Sequence, residues 1–148
     1  MSGRGVVLVL LALAVISSWG TLRWIRARNA AIDRVGVAQA RLTLAGDNSQ
    51  NLSEFRSESN PTVIYSVTLK DAPLGQKLTL FCDWIDPQGH LVWHRRYDTL
   101  AITSTTWETQ CKAEFGPTSA AGHWTVEMYL LKRKLSRKSF QVTRRDRP

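Results

Sequence analysis

The sequence predicts a mainly-β protein, an antiparallel β-sandwich preceded by one N-terminal transmembrane helix. The helix is indicated by an uncharged, mostly apolar stretch from Gly5 to Leu22, and the sandwich by short runs of alternating apolar residues after Pro61. Turn sequences separate these runs and no helical pattern lies between them, which favours antiparallel strands with short connections. With 148 residues, the chain has room for one such domain.

The apolar stretch has the length of a membrane span, because as a helix it would rise about 27 Å. Tryptophans and arginines at the edge of such a span favour the membrane interface. The predicted interface residues are Trp19, Arg23, Trp24, Arg26 and Arg28. We therefore interpret residues 1–26 as a retained anchor. The alternative is a cleaved signal peptide, since Arg4 and the small residues near Ser18 also fit that pattern.

Three regions follow the anchor. Residues 27–61 are predicted to hold a short stalk, a first strand in "VAQARLTL" and a long polar loop. Residues 62–143 contain the regularly spaced β runs and form the predicted sandwich, and residues 144–148 form a basic tail. At residues 86–89, "DPQG" has Pro and Gly where a tight turn needs them, so the flanking strands are expected to form a hairpin.

Two stretches of the predicted sandwich resemble a recurring pattern of bacterial, membrane-anchored immunoglobulin-like domains. In "FCDWIDPQGHLV" a Trp-containing strand leads into a Pro-x-Gly turn, and in "GHWTVEMYLLKRKLSRKSFQV" a Gly-x-Trp-x-Val strand precedes a strand ending Phe-x-Val. The matching residues are Trp84, Pro87, Gly89, Gly122, Trp124, Val126, Tyr129, Leu130, Phe140 and Val142. The resemblance implies an immunoglobulin-like β-sandwich. It implies no activity, because such sandwiches carry many unrelated functions.

Much of the excess positive charge, formally +8 for the chain, lies in the last hairpin and the tail. The run Lys132-Arg133-Lys134 is predicted to be the turn of that hairpin, where related domains usually have Asp/Asn-Gly. Base-stacking aromatics are not interleaved with the charges, so we expect no nucleic-acid partner. We expect contact with other membrane-protein subunits or with anionic lipid, the alternative being a solvated edge that prevents strand aggregation. The candidate contact residues are Trp107, Lys132, Arg133, Lys134, Arg137 and Lys138.

The two cysteines, Cys82 and Cys111, leave two interpretations open. An even number in a β context favours a disulfide, which on this reasoning requires their strands to be neighbours in one sheet. The alternative is two buried free thiols that act as small apolar residues.

The side of the membrane on which the sandwich lies is indicated in two opposite ways. More arginines follow the apolar stretch than precede it, which by the positive-inside rule favours the cytoplasm. The cysteines and the fold type favour an oxidising compartment. We expect a single-pass protein of the bacterial inner membrane with a periplasmic sandwich, and the cytoplasmic orientation stays open.

No pattern in the sequence points to catalysis. His90 and His94 would lie about 13 Å apart on a strand, too far to share a metal ion. Gly-x-Ser-x-Gly and glycine-rich phosphate motifs are absent. The tryptophans of the β runs are expected in the core, with Trp107 as the candidate for an exposed aromatic platform. We expect a chain that is not an enzyme and that holds no cofactor or metal.

An anchor and a small sandwich without catalytic groups offer no chemistry, so we expect the function to be contact with other molecules. We therefore expect an accessory, structural subunit that stabilises a larger bacterial membrane-protein complex, for which respiratory and photosynthetic complexes are conceivable hosts. One alternative is an independent membrane-tethered module that binds or senses a ligand such as a glycan through Trp107 or another exposed aromatic residue. Another is an assembly factor with transient contacts.

Overall fold

The computed structural model describes residues 20–47 and 51–144, and the chain divides into two compact units between residues 34 and 35. In the first unit, residues 20–34 are helical. Within the described ranges, no helix is long and apolar enough to span a membrane. The predicted anchor falls mostly on residues 1–19, which lie outside the described residues.

The second unit is a sandwich of two β-sheets, formed by eight strands in the part of the chain that the structure describes. The strands are β1 (Gly36–Leu44), β2 (Glu54–Arg56), β3 (Thr62–Lys70), β4 (Thr79–Ile85), β5 (Leu91–Asp98), β6 (Trp107–Glu114), β7 (Gly122–Leu130) and β8 (Arg133–Thr143). A three-stranded sheet has the order β1-β3-β6, and a five-stranded sheet has the order β2-β8-β7-β4-β5. The mainly-β prediction is confirmed, and only β2 and β8 pair in parallel.

The core lies between the sheets because alternate residues of the strands are apolar. In β4, buried and half-buried residues alternate over all seven positions, as period-two side-chain geometry requires. An aromatic cluster forms around Phe115, whose ring centroid lies 5.0 Å from those of Phe55 and Trp124 and 5.3 Å from that of Trp93. These partners come from β2, β7 and β5, so Phe115, directly after β6, ties the small sheet to the large one.

Cys82 and Cys111 form a disulfide, with their Cα atoms 6.5 Å apart. Cys82 lies on β4 of the five-stranded sheet and Cys111 on β6 of the three-stranded sheet. The bond therefore joins the two sheets. The prediction that a disulfide needs the two strands to be neighbours in one sheet is wrong, because the inward side chains of β4 and β6 meet across the core.

The sandwich begins before the predicted boundary at residue 62. Strand β1 starts at Gly36 and pairs with β3 along its whole length. The predicted polar loop also contains β2, whose Phe55 is buried in the aromatic cluster. Three residues of alternation are too few to be recognised as a strand in a sequence.

The turn of the last hairpin is also placed differently from the prediction. Leu130 pairs with Arg133, so Leu131 and Lys132 form a two-residue turn, and Arg133 and Lys134 belong to β8. Leu131 has a φ of 54°, in the left-handed region that favours Gly and Asn over other residues.

The end of the sandwich at which β1 begins is called the proximal end here. There the guanidinium of Arg133 donates a hydrogen bond to the carbonyl oxygen of Val35 at 2.8 Å. The loops of residues 71–78 and 99–106 lie at the same end, joined by a hydrogen bond from Ile102 N to Gln76 O (2.9 Å). Because the helical residues end at 34, the proximal end is nearest in sequence to the predicted anchor.

Removing the disulfide is expected to lower the free energy of unfolding of the full chain by about 3–4 kcal/mol. Closing a loop with a sequence separation of 29 restricts the unfolded chain, and the chain-entropy model gives a stabilisation of about that size. Urea denaturation in detergent micelles, followed by tryptophan fluorescence with and without reductant, measures the loss. The Cys82→Ala, Cys111→Ala double variant should match the reduced protein and should not respond to reductant. Equal stability of the oxidised and reduced wild type would contradict the expectation.

Leu131→Asn is expected to raise the free energy of unfolding by about 0.5–1 kcal/mol, because Asn adopts the left-handed conformation at lower cost than Leu. Leu131→Val should lower it, since a β-branched side chain is least compatible with this conformation. The same denaturation assay measures both. Lys132→Asn is the control, because Lys132 does not have a positive φ. A stabilisation by Lys132→Asn equal to that by Leu131→Asn would refute the explanation.

Candidate functional site

The five basic residues that were predicted to form one contact surface are separated by the fold. Lys132 is exposed in the turn, and Arg133 is bonded to the backbone at the proximal end. Lys138 is half-buried on the inward-facing side of β8. Only Lys134 and Arg137 share a face, the outer face of the five-stranded sheet.

An irregularity in β8 brings Lys134 and Arg137 together. They are three residues apart, and in a regular strand this odd separation would place them on opposite faces. The β7–β8 register shifts between Met128 and Tyr129 and skips Leu135. This β-bulge turns both cations to the same face.

A buried carboxylate holds these two cations. Glu127 is 5% exposed, and its Oε1 lies 2.7 Å from Lys134 Nζ and 3.7 Å from Arg137 Nε, while the Tyr129 hydroxyl donates to Oε2. Burial acts to raise the pKa of Glu127. The hydrogen bonds from Lys134 and Tyr129 and the two positive charges outweigh burial and hold that pKa below its ordinary value. Lys134 and Arg137 therefore serve first to stabilise the sheet.

The predicted membrane-interface residues fall partly within the described helix. Arg23, Trp24, Arg26 and Arg28 are helical and exposed, whereas Trp19 lies outside the described residues. The Arg28 guanidinium carbon lies 5.6 Å from the centroid of the Trp24 ring, a cation–π contact. An exposed indole beside arginines is typical of a membrane-interface segment.

Three exposed leucines lie at the proximal end of the sandwich. Leu74, Leu100 and Leu131 expose 60%, 77% and 51% of their surface. The segments that carry them are joined by the hydrogen bonds of this end, including one from Leu131 N to Thr79 O (3.1 Å). Exposed lysines belong to the same end: Lys70, Lys77 and Lys132. Exposed Asp71 and Asp98 also lie at this end, so the leucines are bordered by charges of both signs. Exposed apolar side chains with a polar border fit a membrane interface or an apolar partner surface.

Trp107 also lies at the proximal end, as the first residue of β6 and opposite Leu69. It is half-buried and shares the inward-facing side of β6 with Thr109 and Cys111. Trp107 is therefore less exposed than the open aromatic platform considered from the sequence.

A groove of about 480 Å³ runs between one edge of each sheet. It is called the edge groove here and is lined by His94, Arg95, Arg96 and Tyr97 of β5 and by Gln110, Cys111 and Lys112 of β6. The Tyr97 hydroxyl and Thr109 Oγ1, 2.8 Å apart, hydrogen-bond between the two edges. Three lining residues are cations and none is acidic.

The edge groove is not found by sequence reasoning, because its two walls come from strands in different sheets. One signal was nevertheless available. Arg95 occupies an inward position of β5, between Trp93 and Tyr97, where the alternation calls for an apolar residue. An inward charge of this kind marks an edge strand.

The histidines of β5 and its preceding turn are paired with aspartates. His94 Nδ1 lies 2.6 Å from Asp83 Oδ1, and His90 Nδ1 lies 3.2 Å from Asp86 Oδ2. Across residues 20–47 and 51–144, no group of three His, Cys, Asp or Glu side chains could hold a metal ion.

Comparison with known proteins shows the fold of the sandwich and nothing more specific. No protein-family model and no curated protein matches this chain. An immunoglobulin-like protein from Pseudomonas aeruginosa is similar in structure, with a TM-score of 0.54 at 16% identity over 74% of this chain and 97% of that chain. The sandwich is therefore immunoglobulin-like.

A DNA-bound enzyme is also among the similar structures. It is the alkylpurine DNA glycosylase of Pseudomonas fluorescens bound to DNA containing an abasic site analog, with a TM-score of 0.49 at 17% identity. The match covers 73% of this chain and 30% of the glycosylase. A likeness of this strength carries no argument about function.

Glu127→Gln is expected to remove a pH-dependent part of the stability. Because the folded-state pKa of Glu127 lies below the ordinary value of 4.5, its carboxylate stabilises the fold above pH 4.5, and this contribution is lost as the pH falls through the lower folded pKa. Urea denaturation from pH 7 to pH 3 should show wild type more stable than Glu127→Gln by about 1–2 kcal/mol near neutrality and a shrinking difference in acid. Glu114→Gln, at an exposed position of β6, is the control. A difference that does not change with pH would be inconsistent with the role given to the carboxylate.

Proposed function

We propose that this chain is a non-enzymatic accessory subunit of a bacterial membrane-protein complex, tethered to the inner membrane by its apolar N-terminal segment. The sandwich contacts a membrane-embedded partner through the proximal end. The observation that carries this proposal is the group Leu74, Leu100 and Leu131, exposed together with lysines at the end nearest in sequence to the tether.

The exposed leucines favour a partner because covering them is energetically favourable. Full burial of one leucine side chain stabilises by about 1.5–3 kcal/mol, and each of these three exposes at least half of its surface. A tether adds to this by holding the sandwich at a high effective concentration near other proteins of the same membrane. Contact through the proximal end therefore needs no large interface.

The inter-sheet disulfide supports a periplasmic sandwich. Disulfides form and persist in the periplasm, whereas reductants keep most cytoplasmic thiols reduced. On that side of the membrane, a sandwich on a single tether would brace the periplasmic surface of its partner subunits.

The proposal is tested by the size of the particle that contains the chain. Full-length protein, extracted from native membranes in mild detergent, is expected to elute in size-exclusion chromatography together with other polypeptides. The triple variant Leu74→Ser, Leu100→Ser, Leu131→Ser should shift the chain to the elution volume of a lone monomer in its micelle. Leu91→Ser is the matched control, because Leu91 is 54% exposed and lies at the opposite end of β5.

Each outcome of this experiment decides something. A wild-type chain that elutes as a lone monomer would sink the accessory-subunit proposal. A large particle that survives the triple variant would show that the proximal end is not the contact. Equal dissociation by Leu91→Ser would show that any exposed leucine has the same effect.

A further inference from the structure

We infer that the edge groove binds an extended acidic segment of a partner protein, which adds as a strand to the free edge of β5. The inference deepens the proposed function, because it assumes a protein partner and names the kind of segment that is recognised. It uses a surface other than the proximal end, so the two contacts can be tested separately.

The backbone of β5 offers hydrogen-bonding groups to such a segment. β5 is the last strand of its sheet, and in the described chain no strand pairs with its outer side. Just after β5, Thr99 N donates to Leu78 O on the β4 side at 2.9 Å. Since the backbone groups of successive residues point to alternate sides of a strand, those of Tyr97 and Arg95 face β4. Those of Arg96 and His94 then face the outer edge, where an added strand would bond them.

Charge selects the chemistry of the segment. Arg95 lies at an inward position of β5, and Arg96 lies on the outer face of the same strand, over the Phe81 ring. No acidic residue lines the groove. Opposite charges at facing positions of paired strands are stabilising, and like charges are destabilising. An acidic strand therefore fits this edge, whereas a second copy of β5 would bring its own arginines against them.

The other wall of the groove is less suited to receive an acidic strand. β6 carries exposed Glu108 and Glu114 on either side of Lys112, whereas β5 has no acidic residue before Asp98. The Cys82–Cys111 bond and the Tyr97–Thr109 hydrogen bond hold the two walls together, so the groove is formed before the segment arrives. Preorganisation of this kind reduces the entropic cost of binding.

An inward arginine on an edge strand also protects the edge from self-pairing. That role explains Arg95 alone. It does not explain Arg96, which lies on the outer face of the same strand with its guanidinium carbon 5.9 Å from the centroid of the Phe81 ring. Cations on both faces of the edge strand are what an added acidic strand can pair with.

The inference is tested with a fluorescein-labelled ten-residue peptide of alternating Val and Glu and with the full chain in micelles of a neutral detergent. Fluorescence anisotropy is expected to show saturable binding of this peptide and at least tenfold weaker binding when every Glu is replaced by Gln. Two further peptides are N-methylated on the odd and on the even residues, which keeps the charges and removes alternate backbone donors. Strand addition requires that at least one of the two loses binding. If both N-methylated peptides bind as tightly as the unmethylated peptide, strand addition is overturned. This comparison uses only the wild-type chain.

Variants of the chain locate the peptide. Arg95→Gln is expected to weaken binding about fivefold, the size of one facing charge pair, and Lys112→Gln to weaken it less, because Lys112 lies on the outer face of β6. Arg56→Gln is the matched control, because Arg56 is an exposed cation on β2, the opposite edge of the same sheet. Equal weakening by all three variants would show attraction by net charge and overturn the site.

Hydrogen exchange reports the pairing itself. With peptide bound, the amide protons of His94 and Arg96 should exchange at least tenfold more slowly, as measured by NMR. Protection of Gln110 and Lys112 instead would place the strand on β6 and overturn the assignment to β5. If no peptide binds and the chain still elutes in a large particle, strand addition fails and the accessory-subunit proposal stands. If the peptide binds and the chain elutes alone, strand addition stands and the accessory-subunit proposal fails.

Discussion

The packing of Phe115 between the two sheets is the interaction on which the rest of the sandwich depends. Its ring contacts aromatic residues of β2, β5 and β7, and removal of a buried ring of this kind costs about 3–5 kcal/mol. Farther along β6, the Cys82–Cys111 bond joins the same strand to β4. These two attachments fix β6 against the five-stranded sheet. They are the reason why the edges of β5 and β6 stand beside each other with a groove between them.

The positive charge of the sandwich is used in two different ways. On the outer face of the large sheet, Lys134 and Arg137 compensate Glu127, a carboxylate that could not remain buried and charged without them. At the edge groove, cations line an opening that contains no carboxylate. The formal net charge of +8 is therefore a poor measure of the surface that is available to a partner. Cations that already have a buried partner contribute to stability before they contribute to binding.

The proximal end and the edge groove have different chemistry and would make different contributions to one assembly. The proximal end offers apolar area, which stabilises a contact without directing it. The edge groove offers backbone groups in a fixed direction and charges at fixed positions, which specify a segment. On our proposal, the tether and the leucines keep the sandwich at its partner, and the edge groove determines which part of the partner is held.

Local patterns in the sequence determined the strands of the hairpins and the β-sandwich class, because alternation and turn residues are properties of a few neighbouring residues. They failed at β2, where the burial of Phe55 depends on residues 60 and more positions away. They also placed the five basic residues of the last hairpin together, whereas a bulge at Leu135 and a two-residue turn decide which face each one takes. The disulfide partners could be named from the sequence, but only the packing of the two sheets decided that the bond crosses the core. The edge groove belongs wholly to the tertiary structure, because its walls meet only when strands of two separate sheets are brought side by side.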